Sequence, residues 1–370
     1  MSRNQAGSGA FFGAMDWFVT TWALLAAGFS AVAWARLARR GRARPPLTTW
    51  PNVLLLRPVD RPSELECENL RVKVSYPGVL TQVVCSPEPV GEEVQWLPSN
   101  PSTQNRKVGH LLGALISVPR REGTVVLSID ADVRVDEALV CSLVEAVRDG
   151  AGLATASPRP LGAMTSLPSL SLHGVLVQSH HSFSALDVMQ AGAKAVCGKA
   201  LAFSPAALGV LPALAECIGE DLELSHRLYE QGLEVRLASA PARSPQSPGL
   251  RLREVTARFT RWMQVLKAHR PRLFPWVPLL FAPTPVLLAL ALLFGSAASL
   301  LPVALLVLVR TGLAARLDGR EGVPFEWLLG EVLLAWCFVA ALRAGNTVAW
   351  RGRRYLLGAS GRMEALGGHS

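Results

Sequence analysis

Two long uncharged stretches constrain the fold of this chain more than any other feature. Trp17 to Ala35 is a run of 19 residues without a charged side chain, and Leu273 to Val309 is a run of 37. A helix needs about 20 apolar residues to cross a bilayer. The first run therefore predicts one membrane helix, and the second predicts a helical hairpin with its turn near Gly295 and Ser296.

A cluster of arginines follows the first run at once. Its members are Arg36, Arg39, Arg40, Arg42 and Arg44. In a secretory signal peptide the basic residues precede the apolar core, so we interpret residues 1–44 as an uncleaved membrane anchor. The positive-inside rule then places the following domain, residues 45–271, on the cytoplasmic side of the cell membrane.

The third apolar stretch is too short to span a bilayer. Between Glu331 and Arg343, only the 11 residues from Val332 to Leu342 are uncharged, a length typical of an interfacial or re-entrant helix. Two crossings within residues 272–370 also return the basic C-terminal residues to the cytoplasm, whereas a third would leave them outside. These residues are Arg351, Arg353 and Arg354. A multi-pass protein is therefore expected.

Charge and cysteine content exclude several other classes of protein. The net charge is +9, but much of it is arginine beside the apolar runs, which membrane topology and anionic headgroups explain. Because no nucleic-acid-binding motif accompanies it, we expect no nucleic acid partner. The six cysteines form no C-x-x-C pair, so neither a zinc site nor a redox motif is predicted. Scattered cysteines fit a reducing compartment.

The block between the apolar runs alternates strand-like and helix-like stretches. Strands are expected at Val53–Leu56, Leu80–Cys85, Val125–Asp130, Gly152–Ala156, Leu201–Phe203 and Leu233–Ala238. Helices are expected at 101–117 and 136–149, from Glu220 to Gly232, and in an amphipathic segment through Val255 and Leu266, whereas 241–249 reads as a loop. This alternation predicts an α/β, Rossmann-like sheet with helices on its faces. In open sheets of this kind, ligands bind beyond the carboxyl ends of the strands.

Two short motifs beside predicted strands carry charge. Asp130 and Asp132 follow the third strand with one alanine between them. A hard divalent cation, Mg²⁺ or Mn²⁺, takes such oxygen ligands and often keeps substrate phosphate oxygens in its shell. A turn or helix cap accounts for the same pattern, since a lone D-x-D is common by chance. Gly198 would let a ligand approach the backbone closely, and Lys199 would offer it a point charge. An ordinary loop before a strand explains the same two residues.

Two helices also begin or carry residues suited to chemistry. Glu220 and Asp221 open a helix, where acidic residues are favoured by the helix dipole, but a shielded Asp221 is also suited to general-base catalysis. Arg258 and Arg261 are three residues apart and share a helix face. Guanidinium groups grip phosphate oxygens in pairs, although Arg258, Arg261 and Trp262 also fit an interfacial helix with snorkelling arginines.

Taken in order, these motifs resemble those of a known family. The stretches are DAD at 130–132, GK at 198–199, GED at 219–221, RFTRW at 258–262 and WRGRRY at 350–355. Their order is similar to that in the ceramide glucosyltransferases and their bacterial hopanoid-modifying relatives, over roughly residues 50–355. The resemblance implies a GT-A glycosyltransferase domain with an N-terminal transmembrane helix, a C-terminal membrane hairpin and an interfacial helix.

The resemblance assigns roles to the motif residues. In that family the D-x-D site binds the divalent metal and the diphosphate of the donor, which implies Asp130 and Asp132 as metal ligands and Asp130 in nucleotide-sugar binding. Asp221 matches the catalytic base. Arg261 and Trp262 are implied in catalysis, and the arginine before them in the RFTRW stretch, Arg258, in nucleotide-sugar binding.

Four further positions match weaker features of the family. Arg57 stands for an early lysine, and Lys107 for the lysine of an asparagine-x-lysine motif. Glu88 stands where the family has an aspartate that contacts the nucleotide, so all three are expected in nucleotide-sugar binding. His181 is the expected acceptor-binding histidine, with His180 as the alternative.

The resemblance also implies a reaction and its partners. An inverting enzyme would move a hexose, glucose first, from a UDP-sugar to a membrane lipid hydroxyl, ceramide first, giving a glycosphingolipid. The cofactor would be Mg²⁺ or Mn²⁺, and the partners would be the donor, the lipid acceptor and the bilayer. A hopanoid or another lipid acceptor, and a polysaccharide synthase with the same domain, are the alternatives.

Overall fold

The computed structural model describes most of the chain. The described residues are 4–39, 49–162, 164–247, 249–294, 296–318, 325–350 and 353–366. Several residues used in the sequence predictions lie outside them, namely Arg40, Arg42, Arg44, Gly295 and Arg351. The expected domain boundary between residues 44 and 45 also lies outside the described residues.

A mixed seven-stranded sheet forms the centre of the middle region. Its strands are β1 (Val53–Pro58), β2 (Leu80–Ser86), β3 (Trp96–Pro98), β4 (Val125–Ile129), β5 (Leu153–Thr155), β7 (Ala200–Phe203) and β8 (Val235–Leu237), while β6 (Pro158–Leu161) pairs with β9 (Ala242–Pro245). The spatial order is β3-β2-β1-β4-β7-β5-β8. Strands β1 to β4 run parallel, and β7 runs antiparallel to its neighbours β4 and β5. The predicted α/β class is confirmed.

The two central strands form where the sequence is apolar on both faces. Every residue of β1 and β4 is buried, as expected for strands covered on both sides. Leu54 and Leu56 pack with one helix, α3 (Arg106–Ser117), and Val53 and Leu55 pack with α4 (Glu137–Arg148) on the opposite face. Because β1 and β4 are parallel neighbours, their carboxyl ends lie at one edge.

Helices cover that edge and continue into the apolar part of the chain. In chain order the helices are α1 (Asn4–Arg39), α2 (Glu64–Arg71), α3, α4, α5 (Leu167–Met189), α6 (Pro205–Leu208), α7 (Glu220–Glu230), α8 (Leu252–His269), α9 (Thr284–Phe294), α10 (Ala297–Asp318) and α11 (Glu326–Arg343). A small antiparallel sheet follows, of β10 (Thr347–Trp350), β11 (Arg353–Leu357) and β12 (Met363–Ala365). We call it the C-terminal sheet.

Two helices in the described part of the chain are long and apolar enough to cross a membrane. They span Gly13–Ala38 and Ala297–Arg316. Of the two helices of the predicted hairpin, only the second is long enough to span a membrane among the described residues. The first, α9, has only 11 residues and follows a π-helical turn at Val277–Phe281. Prolines in this segment remove backbone donors and interrupt a straight helix. The number of crossings and their orientation stay predictions.

The structure also differs from the expected elements elsewhere. Helix α5 is absent from the predictions, because polar and apolar residues alternate around a helix that is buried on nearly every side, so no amphipathic stripe marks it. The expected loop at 241–249 contains β9, which forms by pairing with β6 rather than by any apolar pattern of its own. Helix α11 starts at Glu326 rather than near Val332, and its Glu331 is buried in an ion pair with Arg310 of α10.

Close packing of α5 on α11 depends on two facing glycines. A Cβ built on Gly330 would lie 2.2 Å from the backbone carbon of Gly174, and one on Gly174 would lie 2.1 Å from the carbonyl oxygen of Glu326. We predict that Gly330→Ala lowers stability by about 1–3 kcal/mol, the usual cost of overpacking, measured as a lower Tm in detergent. The matched control is Gly28→Ala in α1, where a Cβ meets nothing within 4 Å. Equal Tm values for both variants would contradict this packing.

Candidate active site

A cavity of about 740 Å³ lies beyond the carboxyl ends of β1 and β4. One side is charged, and the other is apolar and built by α5, α8 and the turn at Val277–Phe281. The charged lining residues are Glu66, Lys107, Asp130, Asp132, Lys199, Glu220, Asp221, Arg258 and Arg261. The apolar lining includes Val175, Phe183, Leu186, Phe259, Met263, Leu266, Phe281 and Leu334. This is the edge at which open α/β sheets bind ligands.

Lys107 joins three parts of the charged side. Its Nζ lies 2.8 Å from Asp130 Oδ1 and 3.2 Å from Glu220 Oε1, and it donates to the Gly198 carbonyl at 2.6 Å. Burial alone would lower the pKa of Lys107, but the neighbouring carboxylates raise it overall. Burial raises the pKa of Asp130 despite this contact. Burial would also raise the pKa of Glu220, but Lys107 and the hydrogen bonds to the Glu220 carboxylate together lower it. The lysine is therefore a permanent cation among carboxylates.

Asp132 is held by a second pair of cations. Its Oδ2 accepts hydrogen bonds from Lys199 Nζ and, at 3.1 Å, from Arg258 Nη2. Burial opposes ionisation of Asp132, but Lys199 and Arg258 hold its pKa well below the usual range. Its other oxygen, Oδ1, is buried and accepts no hydrogen bond from the described residues. Asp132 is thus a carboxylate with one free acceptor.

Asp221 has a different environment from the other carboxylates. Its Oδ2 accepts the Gly198 amide at 2.9 Å, and its Oδ1 accepts the Leu222 amide at 2.9 Å. Burial first, and then the adjacent Glu220, raise the pKa of Asp221 to about 6. A carboxylate with this pKa is mostly ionised at neutral pH and still basic enough to accept a proton.

The loop before α7 sets the position of Asp221. Gly219 caps the helix with φ of 71°, in the left-handed region that favours glycine. The Asn105 amide, at the start of α3, donates to the Cys217 carbonyl at 2.7 Å and to Glu220 Oε2 at 3.1 Å. The acidic pair is therefore fixed from α3 as well as from its own helix.

The arginines of α8 share one face, as their spacing predicts. Arg258, Arg261 and Trp262 all line the cavity. The guanidinium carbon of Arg258 lies 5.7 Å from the centre of the Trp262 ring, and Phe259 meets the same ring edge-on at 4.8 Å between centroids. Burial first, and then Arg258, lower the pKa of Arg261 from its ordinary value, but a guanidinium remains charged there.

Arg57 lies beneath the cavity rather than in it. Its side chain is fully buried, and its Nη2 donates to the carbonyls of Asp130 and Val133 at 3.1 and 2.9 Å. Its contacts thus support the loop that carries Asp130 and Asp132. Its expected role in nucleotide binding stays a prediction.

Two other predicted site residues also lie outside the cavity lining. Glu88 is exposed after β2, and only its carbonyl oxygen is held, by the Ser86 hydroxyl at 2.6 Å. His181 is buried in α5, with Nδ1 3.3 Å from Gln178 Oε1 and its ring 5.6 Å from Phe29. Burial holds the pKa of His181 well below its usual range, so the imidazole is neutral. Both assignments stay predictions.

Sequence reasoning missed several residues that line the cavity. The sequence identifies Lys199 only as a point charge, because its pairing with Asp132 depends on β7 lying antiparallel to β4. Gln178 and Ser182 come from the unpredicted α5, and Trp350 comes from β10, far along the chain. The WRGRRY motif contained the one available signal, since its first residue is Trp350.

The carboxylates at 130 and 132 fit a divalent cation that is shared with a substrate. The unpartnered Oδ1 of Asp132 is a free hard-oxygen ligand, and Asp130 lies beside it on the same short loop. Within the described ranges, no group of three or more His, Cys, Asp and Glu side chains is placed to hold a metal. Mg²⁺ and Mn²⁺ commonly complete their shells with phosphate oxygens and water. The residues therefore fit a cation that binds together with a diphosphate.

We predict that Lys107→Met lowers stability by about 3–5 kcal/mol at pH 7.5, because it strands buried carboxylates that the lysine neutralises. In the variant these carboxylates would have a pKa above their unfolded values, so protonation would favour the folded state. The Tm difference from wild type should therefore shrink as pH falls towards 5. The control is Lys73→Met, at an exposed position after α2. A Tm loss that does not depend on pH would contradict this account.

Comparison with known proteins identifies the family. The model of Glycosyl transferase family 21 matches residues 94–363, which include every charged residue of the cavity except Glu66. A solved mannosyltransferase from Pyrobaculum calidifontis, in complex with GDP-Man and Mn²⁺, is similar at 16% identity over 88% of this chain and 99% of that chain, with a TM-score of 0.44. Comparison with curated proteins gives no match. The chain belongs to glycosyl transferase family 21 and is therefore a glycosyltransferase.

Proposed function

We propose that this protein is an inverting glycosyltransferase that moves a hexose, glucose first, from a UDP-sugar to a hydroxyl of a membrane lipid, ceramide first. One observation carries the proposal. A single cavity joins a charged side, which contains the isolated base Asp221, directly to an apolar side built by α5 and α8. Such a cavity suits a charged donor and a lipid acceptor that meet at one carboxylate.

The charged side suits the diphosphate of a nucleotide sugar. Lys107, Lys199, Arg258 and Arg261 bring four cations to the cavity. Guanidinium and ammonium groups stabilise phosphate charge, and they do so most strongly where water is excluded. Arg261 has no carboxylate partner among the described ion pairs, so its charge is available to a ligand. Negative charge that develops on the departing diphosphate would be stabilised here.

The apolar side suits the chains of a lipid. Its residues come from α5, α8, α11 and the π-helical turn that leads into α9 and α10. Each CH₂ taken from an apolar phase into water costs about 0.8 kcal/mol, so a lipid acceptor would keep its chains near the bilayer while its hydroxyl reaches Asp221. The candidate spans Gly13–Ala38 and Ala297–Arg316 pack beside these helices.

The reaction would be a single displacement. As the lipid hydroxyl oxygen attacks the anomeric carbon, Asp221 accepts its proton, and the bond from that carbon to the β-phosphate oxygen breaks. The electron pair leaves with UDP, so the products are the lipid glycoside, UDP and a protonated Asp221 that returns its proton to water. Attack opposite the leaving group inverts the anomeric configuration. Only the deprotonated carboxylate is active, so the rate should fall as pH drops through about 6.

Asp130 and Asp132 would hold the divalent cation of this reaction, Mg²⁺ or Mn²⁺, together with oxygens of the diphosphate. When bound, the cation supplies positive charge beside the leaving group. Lys199 and Arg258 keep Asp132 ionised whether or not the cation is present. Asp132 would therefore be an anionic ligand at any physiological pH.

The location of the protein follows from the same scheme. We propose a multi-pass protein of the cell membrane, with residues 1–44 as the anchor, 45–271 as the catalytic domain facing the cytoplasm, and 272–370 as the C-terminal membrane region. Cytoplasmic UDP-sugar would then reach the charged side of the cavity. The lipid acceptor would reach the apolar side from the bilayer.

We predict that Asp221→Asn lowers hexose transfer by about 100- to 10,000-fold, the usual contribution of a general base, while UDP-sugar binding is kept. Lipids from cells expressing each protein would be analysed by mass spectrometry, with ceramide, hopanoid and diacylglycerol glycosides as separate outcomes. Donor binding would be measured on purified protein by calorimetry. The control is Asp149→Asn, at an exposed position outside the cavity. Full activity of Asp221→Asn would rule out this base, and a wild type that glycosylates no lipid would refute the function.

We also predict that removal of divalent cations lowers activity by about 100-fold or more, since a preorganised charge beside the leaving group is a large catalytic contribution. Enzyme treated with EDTA would be assayed before and after Mn²⁺ or Mg²⁺ is restored. UDP binding should weaken in parallel in wild type but not in Asp132→Asn, which should already bind UDP weakly. Indifference to chelation would mean that the DAD loop is purely structural.

A further inference from the structure

We propose that the C-terminal sheet has a positioning role in the active site. It holds the loop at residues 216–219, which positions Asp221, and it contributes Trp350 to the cavity wall. This inference rests on the proposed role of Asp221 as the base. It assigns a role to residues 347–350 and 353–365, which follow the last apolar helix and take no part in the mechanism above.

The first evidence is a short antiparallel pairing between the loop and the sheet. The Ile218 amide donates to the Gly361 carbonyl at 2.9 Å, and the Met363 amide donates to the Glu216 carbonyl at 3.0 Å. Cys217 and Arg362 lie opposite each other between these two bonds. The residues just before β12 thus pair like a strand with the loop at residues 216–219, which we call the base loop.

Helix α8 binds both the sheet and the loop. His269 Nε2 donates to the Ile218 carbonyl at 2.7 Å, and Gln264 Nε2 donates to the Thr347 carbonyl of β10 at 2.7 Å. With Asn105 on the Cys217 carbonyl, the loop has hydrogen bonds to α3, to α8 and to the sheet. None of these partners belongs to α7, the helix that the loop introduces.

The contact between the sheet and the base loop is close enough to require glycine at one position of the turn before β12. Gly361 has φ of 69°, and a Cβ there would lie 2.0 Å from His269 Nε2 and 2.4 Å from the Ile218 carbonyl oxygen. Gly358 on the same turn is different, because its φ is −82° and the nearest atom to a Cβ would be 3.7 Å away. The chain therefore permits a substitution that pushes the sheet off the loop, together with a neighbouring control that does not.

The sheet also forms the back of the cavity wall. Val348, Tyr355, Leu357 and Met363 are buried against Ile218 and Val265 in one apolar cluster. Ile218, Val265 and Trp350 in turn line the cavity. Removal of the sheet would therefore open the cavity to water from the side of Asp221.

Separation of the C-terminal sheet from the base loop should change catalysis in two ways that a general loss of stability would not. A displacement of about 1 Å in a catalytic group can cost about 100-fold in rate, so kcat would fall while donor KM stays near that of wild type. Burial is the first cause of the raised pKa of Asp221, so added water would lower that pKa and move the acidic limb of the rate profile to lower pH.

Charged and titratable groups surround Asp221 on several elements. They are Glu220 on α7, Lys107 on α3 with Asp130 beyond it, Cys197 before β7, and His269 and Arg270 at the end of α8, where Arg270 donates to the Leu222 carbonyl at 3.1 Å. Because Lys107 and Asp130 are held by elements other than the C-terminal sheet, a shift of the acidic limb would not report the loss of their ion pair.

The test compares Gly361→Ala with Gly358→Ala in full-length protein in lipid nanodiscs. We expect Gly361→Ala to lower kcat by about 100-fold, to keep the donor KM and to move the acidic limb to lower pH. Gly358→Ala should match wild type in all three. Hydrogen exchange of the peptide covering residues 216–222 should become faster only in Gly361→Ala.

A second variant guards against misfolding of the first. Met363→Ala weakens the contact between sheet and loop without adding atoms. A double variant adds Arg362→Cys to this change, which places a thiol opposite the native Cys217. That pair lies between its two hydrogen bonds, where Cα atoms are about 4.5 Å apart, within the reach of a disulfide. In the double variant, oxidation should restore kcat and dithiothreitol should remove it again.

The outcomes separate this inference from the proposed function. Wild-type kcat and an unshifted acidic limb in both Gly361→Ala and Met363→Ala would overturn the inference, and so would loss of cooperative unfolding in both, since the sheet would then serve the whole fold. If wild type transfers no hexose to lipid, the proposed function fails, and hydrogen exchange still decides the docking. Unchanged exchange at 216–222 would refute the docking whatever the reaction is.

Discussion

The balance of charge inside one partly closed cavity is the constraint on which the rest of this structure depends. Asp130, Asp132 and Glu220 each meet a lysine or an arginine. A buried charge without a partner costs several kcal/mol, so β4, α3, β7 and α7 must meet with these side chains in register. Asp221 is the exception, because its oxygens accept only backbone amides. No lysine or arginine forms an ion pair with Asp221 among the described residues, and this difference separates the proposed base from the proposed ligands.

The loop at residues 130–133 shows how the scaffold supports the site from below. The Nη2 atom of Arg57 donates to two carbonyls of that loop, while its Nε and Nη1 are buried and bond to no described residue. Burial lowers the pKa of Arg57 to about 10, with Asp130 and Asp132 acting in the opposite sense. The cation is thus held near both carboxylates without reaching the cavity. It contributes to their ionisation through its field and to their position through the backbone.

Much of the fold could be predicted from the sequence, and the errors have physical causes. Strands β1 and β4 are mostly apolar, and β2 contains the apolar run Val83–Cys85, so a local pattern marks all three. Helix α5 and strand β9 have no such pattern, because tertiary packing and pairing define them. The site shows the same division. A motif places Asp221 or Arg258 on the right element, but it does not set the direction of a side chain, and so Arg57 and His181 lie outside the cavity lining while Lys199 and Trp350 lie within it.

The order of the chain adds a consequence for assembly. The loop that positions Asp221 is bonded to residues 361–363, and these follow α9, α10 and α11, the apolar helices of the C-terminal region. Of these helices, α11 lines the cavity through Leu334, and the buried pair of Arg310 and Glu331 joins α11 to α10. The contacts that hold the loop at residues 216–219 thus include a sheet that follows the apolar helices in the chain, and one of these helices, α11, packs against α5 and α8. Formation of the base site is thereby coupled to formation of the surface that would receive the lipid.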